Sequence, residues 1–204
     1  MYLVVGLGNP GDVYTHTRHN TGAEAVSLFR ERHELPPFKR NRYMQGLVSE
    51  GDVGAERVAL LLPETFMNRS GESVRQFLQY VTSMPEVVVV HDELDLPLGR
   101  IKISYDRGAG GHNGVASVIQ HIGGKDFTRV RIGIGVDESS TEVMEASRLR
   151  HTGGRDYVLE RFRTDEMPLY EEALGSAVDA LTTIVGEGRE AAMQKCNAQE
   201  NGTS

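Results

Sequence analysis

Four consecutive valines, Val87–Val90, most constrain what this chain can become. A strand turns successive side chains to opposite faces, so an unbroken β-branched run is apolar on both. That is the signature of an inner strand of a parallel sheet, covered by helices on either side. The rest of the chain agrees. Tyr2–Val5, ended by Gly6, and Val130–Gly135 read as further inner strands. Tyr43–Ser49 and Arg57–Leu62 read as strands around a turn at 50–54, and Ile101 and Ile103, alternating with Lys102 and Ser104, as a half-exposed strand. Helical stripes lie between them. One spans Thr21–Arg32 behind the N-cap candidate Asn20, and others span Ser70–Val81, His112–Ile122 and Glu166–Val185. The Gly186-Glu187-Gly188 break closes the last of these. This alternation predicts a single-domain α/β fold, a three-layer sandwich with a mixed, mostly parallel twisted sheet and helices on both faces. The domain spans residues 1–196, with 197–204 as a flexible C-terminal tail.

With 39% apolar and 25% charged residues among 204, the chain has the composition of a globular domain rather than of a disordered or fibrous one. Its longest apolar runs are too short for a bilayer, and Met1-Tyr2-Leu3-Val4-Val5 lacks the basic segment of a signal peptide. A single cysteine, Cys196, leaves no intramolecular disulfide and no multi-cysteine zinc site. A cytoplasmic, metal-free protein is expected. The net charge of −7 argues against a nucleic-acid partner only until its distribution is seen. Residues 164–204 carry eight acidic and two basic side chains, so the remainder is nearly neutral. That remainder holds basic groups at Lys39, Arg40 and Arg42, at Arg100, Lys102 and Arg107, and at Lys125, Arg129 and Arg131. These are either ordinary solvated charges or a local phosphate-binding face.

Ligands of such sheets bind beyond the carboxyl ends of the strands, so the segments after Val5, Leu62 and Val90 hold the candidates. Gly6-Leu7-Gly8-Asn9-Pro10-Gly11 matches the dinucleotide fingerprint, but Pro10 and Gly11 delay the helix that would face a pyrophosphate. The glycines better serve to turn the chain and present Asn9. His19, on the long loop that follows, is either a packing residue before the helix or a functional imidazole. Phe66, Met67 and Asn68 after the second strand end read as core and cap, or as an apolar pocket with an amide anchor. The four-valine strand ends in His91-Asp92-Glu93-Leu94-Asp95. Strand alternation keeps Asp92 and Glu93 from serving one site, and Asp92 is well placed to orient a histidine. The run Gly108–Gly114 delivers Asn113 to a helix start, or binds phosphate through its amides. No G-x-S-x-G elbow is present, and Cys196 lies near the tail. A base–acid pair with amides and no nucleophile suggests water-based hydrolysis of a reactive bond such as an ester.

The segments GLGNPG…Y…TRHNTG (6–22), ETFMNRSG (64–71), HDELDLPLG (91–99) and GGHNG (110–114) resemble, in order and spacing, those of bacterial peptidyl-tRNA hydrolases. RVRIGIG (129–135) and DYVLERF (156–162) extend the likeness over nearly the whole chain. The resemblance implies a monomeric α/β enzyme without cofactor or membrane attachment. Its activity is cleavage of the ester between a peptide and the 3′-terminal ribose of tRNA, which recycles tRNA after abortive translation. It further implies His19 as general base, Asp92 as the residue stabilising its basic form, and Asn9 as the group that discriminates N-blocked substrates. Tyr14, Phe66, Asn68 and Asn113 would contact tRNA or the peptidyl-adenosine end, with Met67 lining the same cleft. Arg131 would clamp the tRNA 5′-phosphate. Many members have a second basic residue where this chain has Ser104, with Lys102 or Arg100 the nearest substitutes. A non-catalytic RNA-binding protein of the same fold is the alternative.

Overall fold

The computed structural model describes residues 1–136 and 154–198 and places seven strands in one sheet. In chain order these are β1 (Tyr2–Gly6), β2 (Lys39–Asn41), β3 (Gly46–Val53), β4 (Glu56–Pro63), β5 (Glu86–Pro97), β6 (Ile101–Tyr105) and β7 (Thr128–Gly135). Across the sheet the order is β2-β3-β4-β1-β5-β7-β6. The inner four, β4-β1-β5-β7, are mutually parallel, while β2 and β3 on one side and β6 on the other run antiparallel to their neighbours. The helices are α1 (Thr21–Arg32), α2 (Ser70–Tyr80), α3 (Asn113–Ile122), the single turn α4 (Arg155–Val158), α5 (Met167–Glu187) and α6 (Arg189–Ala198).

The valine run shows why two helical layers are needed. Val88 and Val90 join Tyr2 and Val4 in a core closed by α1 and α5, through Val26, Phe29, Val178 and Leu181. Val87 and Val89 join Leu3 and Val5 in a second core, closed by α2 and α3 through Val74, Phe77, Val115 and Val118. Each fully buried valine, leucine or phenylalanine contributes about 1.5–3 kcal/mol, so neither face tolerates exposure. The three-layer α/β sandwich read from the sequence is the fold that forms. No helix among the described residues is long and apolar enough to cross a membrane.

Four elements differ from the sequence reading. The strand read as Tyr43–Ser49 is β3, Gly46–Val53, and the turn read at 50–54 shrinks to Gly54-Ala55 because the ladder with β4 runs on to Val53 and Glu56. The strand read as Val87–His91 continues to Pro97, because β7 pairs with it past the valines and through an irregularity between Glu93 and Pro97. The edge strand β2 has too few apolar side chains to signal itself. Helix α6 follows immediately after Gly188, and Asn197, placed in the tail by the sequence reading, belongs to its last turn. There the Asn197 side chain accepts from Ile103 N at 3.1 Å and donates to Ile103 O at 3.0 Å, tying α6 to the edge strand β6. The rest of the proposed tail, 199–204, lies outside the described residues.

One close approach fixes where the first loop ends. Leu7 N donates to Val90 O and Ala23 N donates to Leu7 O, each at 3.0 Å, so the start of α1 is laced onto the end of β5. Gly22 sits at the crossing, where an added Cβ would collide with the carbonyl oxygen of Val90. Replacing Gly22 with alanine is therefore expected to destabilise the fold by about 1–3 kcal/mol through overpacking, read as a lower urea midpoint at unchanged m-value.

Candidate active site

The lacing of α1 onto β5 brings residues 19 and 92 together. Residues 18–20 form a single 3-10 turn before α1, and Asp92 lies on β5 just past the valines. His19 Nδ1 stands 2.9 and 3.0 Å from the two carboxylate oxygens of Asp92. His112, the residue before α3, reaches the same carboxylate from the other layer, with Nε2 2.9 Å from Oδ1. His112 Nδ1 accepts from the backbone N–H groups of Gly114 and Val115, so this ring carries its proton on Nε2 and donates it to Asp92. It also caps the helix start, satisfying two donors that would otherwise be orphaned.

Asp92 is only 2% exposed. Burial by itself pushes its carboxyl upward. The attraction of His112 and His19, with the hydrogen bonds they donate, outweighs that and holds the group ionised, well below the usual carboxylate range. An ionised Asp92 accepts a hydrogen bond from the Nδ1–H of His19, which leaves the Nε2 lone pair of that ring as the acceptor. The third histidine, His91, is fully buried and lies edge-on to His112 with ring centroids 4.7 Å apart. Its Nδ1 donates to the backbone oxygen of Asp92 at 2.6 Å, and its Nε2 has no partner. Burial, with the His112 ring packed against it, holds His91 well below the ordinary histidine range, so it stays neutral.

His19, Asp92 and His112 offer the geometry of a three-ligand cation site, the one such grouping among the described residues. Its donors are already engaged. Both nitrogens of His112 are used, one by backbone amides and one by Asp92, and His19 turns Nδ1 to the same carboxylate. The arrangement fits an imidazole–carboxylate–imidazole chain better than a metal centre.

A cleft of about 200 Å³ opens onto this chain. His19, Asp92, His112, Asn113, Arg155 and Val158 are among its lining residues. The exposed Asn113 begins α3 at its rim. Asn9 is tied in from the neighbouring loop: its backbone N and O bond the side chain of Asn20, at 2.8 and 3.1 Å. Asn20 thus acts as a brace for Asn9 and makes no side-chain cap for α1, contrary to the sequence reading. The Asn9 Oδ1 accepts from Met67 N at 2.8 Å, which orients its amide so that Nδ2 remains available as a donor.

The other predicted residues fall into three settings. Met67, expected to line the cleft, has a side chain 4% exposed in the core beneath Gly114; only its backbone serves the site, through Asn9. The reason is its place at the start of a 3-10 turn, where the side chain points inward between β4 and α3. Phe66 and Asn68 on either side of it are exposed, and Tyr14 is half-buried in the turn 12–14. Arg131 lies elsewhere. Strand alternation sends Glu93 to the face opposite Asp92, where it pairs with Arg131 Nε at 2.9 Å. The two stand in a second groove with Lys102, Ser104, Arg107 and Arg129. Arg100, the other suggested substitute for a basic residue at 104, lines a different groove. Sequence reasoning left out His112 and His91 as site residues, although GGHNG and VHDEL place each beside a residue it did select.

A parallel α/β sandwich with an imidazole–carboxylate pair at the carboxyl end of its inner strands belongs to the class of enzymes that build their site from loops at that edge. The comparisons give the particular family. The sequence model of the peptidyl-tRNA hydrolase family matches residues 3–203, and the chain belongs to that family. It is 41% identical to the peptidyl-tRNA hydrolase of Desulfitobacterium hafniense (strain Y51), covering 97% of this chain and 100% of that one. It is also 41% identical to that of Shouchella clausii (strain KSM-K16), over 89% and 91% of the two chains. The crystal structure of the Acinetobacter baumannii peptidyl-tRNA hydrolase superposes with a TM-score of 0.82 at 36% identity, covering 97% of this chain and 95% of that one. The chain is accordingly a hydrolase.

The neutral, buried His91 makes a pH prediction. Its folded pKa is depressed, so the unfolded chain takes up a proton first as pH falls through about 6.5, and stability is lost from there downward. His91→Gln, which retains a donor for the Asp92 backbone oxygen, is expected to flatten that part of the stability–pH curve. Urea unfolding between pH 7.5 and 5 measures it; an unchanged slope would show that His91 is not the group taking up the proton.

Proposed function

We propose that this chain hydrolyses the ester between the peptide C-terminus and the 3′-terminal ribose of tRNA, with His19 as the base that activates water. The observation that carries this reading is the His19–Asp92 pair, in which the carboxylate occupies Nδ1 and leaves Nε2 as proton acceptor at the cleft. In the forward step Nε2 takes a proton from water as its oxygen attacks the ester carbonyl, and Asp92 stabilises the imidazolium that forms. Carboxamide N–H groups of Asn9 and Asn113 hold the developing oxyanion and the adjacent peptide. Collapse expels the ribose oxygen, which takes the proton from His19, and leaves a free peptide carboxylate. Released tRNA returns to translation, in the cytoplasm. On this reading the enzyme acts as a monomer.

The tRNA contacts divide between the two sides of β5. Exposed Phe66 offers a ring face on which a terminal base can stack, with Asn68 and Tyr14 as flanking polar contacts. On the other side, Arg131 and its neighbours suit a phosphate of the acceptor stem. Ser104 Oγ and Arg129 Nη1 lie buried at the base of that groove, and the Arg129 guanidinium adds to its positive charge. Lys102, in register with Arg131, and Arg107 supply the positive charge that Ser104 does not.

Release of tRNA from N-acetyl-aminoacyl-tRNA tests the chemistry. His19→Ala is expected to lower kcat on the order of 10²–10⁴-fold, and wild-type turnover by that variant would refute the mechanism. Arg131→Ala is expected instead to weaken tRNA binding and reduce the slope of log Kd against log salt by about one, with kcat at saturation little changed.

A further inference from the structure

Beside the proposed base stands a buried cation that the hydrolytic steps do not use. The side chain of Arg18 is 2% exposed, and its Nη2 donates to both carboxylate oxygens of Glu166, at 2.9 and 2.7 Å. Its Cζ lies 4.2 Å from the ring centroid of Tyr157 and 4.7 Å from that of Phe162. Nε and Nη1 have no hydrogen-bond partner, so two aromatic faces and one carboxylate are what compensate the charge. An apolar side chain of similar volume at such a site is often no less stable than a buried ion pair, so stability alone does not account for an arginine here.

What Arg18 joins is more informative. The segment from Gly154 forms part of the cleft wall, where Gly154, Arg155 and Val158 line the same cavity as His19. Its backbone meets the His19 turn directly, since Arg18 N donates to Glu160 O at 2.9 Å and Thr17 bridges Arg161. Tyr157 OH donates to Ile134 O at the end of β7, and Glu166 also accepts from Arg163 N. The guanidinium is therefore the one side chain that touches the wall at Tyr157, at Phe162 and at Glu166 while being covalently next to His19.

We propose that Arg18 is a positioning residue for the hydrolysis: it pins the segment 154–166 onto the turn 18–20, so that the imidazole of His19 and that wall keep a fixed separation. The inference rests on the hydrolytic reading above. An arginine suits the task because its flat, delocalised cation stacks between rings while bonding a carboxylate, which an ammonium group cannot do.

The test uses the full chain with Arg18→Lys and Glu166→Gln, assayed well below their unfolding midpoints. Both are expected to lower kcat roughly 10- to 100-fold, the scale of a sub-ångström to ångström misplacement, while the Kd for deacylated tRNA stays at the wild-type value. A purely structural role would lower the unfolding midpoint and leave kcat per folded molecule intact, and that result would overturn the proposal. Wild-type turnover in the same assay separates this failure from failure of the hydrolytic reading. If Arg18→Lys does not fold, Glu166→Gln decides the kinetic arm. Hydrogen exchange on the wild-type protein decides independently: the amides of Arg18 and of Val158–Glu160 are expected to open as one unit. Markedly faster exchange at 158–160 than at Arg18 would show that nothing pins the wall to the turn.

Discussion

A carboxylate taken out of water at the tip of an inner strand governs the rest of this site. Asp92 can stay ionised at 2% exposure only because hydrogen-bond donors surround it, and each donor belongs to a different part of the fold. His19 comes from the loop after β1, and His112 from the start of α3. His91 lies on the strand itself and anchors the backbone of Asp92. The need to compensate one charge thereby ties both helical layers to the carboxyl edge of the sheet. The same need sets the chemistry, since a ring that gives Nδ1–H to Asp92 has Nε2 left as its basic nitrogen.

The pleat of β5 sorts function by face. Asp92 and Glu93 are adjacent, yet the first meets imidazoles and the second meets Arg131. One strand therefore supplies the carboxylate partner of His19 and, one peptide unit on, the Glu93 that pairs with Arg131 in the basic groove while also lining the cleft. That separation lets each part answer to different physics. The cleft depends on short, fixed hydrogen bonds. The groove depends on charge, which acts at longer range and is screened by salt.

Much of the architecture was legible because the core is two-sided. The valine run required helices on both faces, and the stripes through Phe29, Phe77 and Val118 supplied them. Elements that bury little were not legible: β2 is exposed, and α6 buries a single alanine fully. The polar end of β5 also escaped notice, since pairing with β7 rather than any alternation of its own keeps residues 92–97 extended. At the site, residue type and loop position point to His19, Asp92 and Asn9; the fold bonds the first two directly and holds Asn9 on Asn20, the residue next to His19. Met67 was misread as a cleft residue because an exposed neighbour on either side of a short turn gives no period from which to tell inside from outside.

By itself the sequence determined the layers, the inner strands, the loops that hold the polar residues and the absence of a disulfide, since these follow from local periodicity and residue chemistry. Only the tertiary structure decided which nitrogen of each histidine carries a proton, which way the Asn9 amide points, and that Arg18 turns inward to Glu166. For His19, Asn9 and Arg18 these are settled by partners 58 to 148 positions away in the chain, Asp92 for His19, Met67 for Asn9 and Glu166 for Arg18, whereas His91 and His112 are fixed by nearer ones. No local pattern encodes a contact of that separation; it exists only once the sheet has ordered its strands and the two helical layers have closed on it.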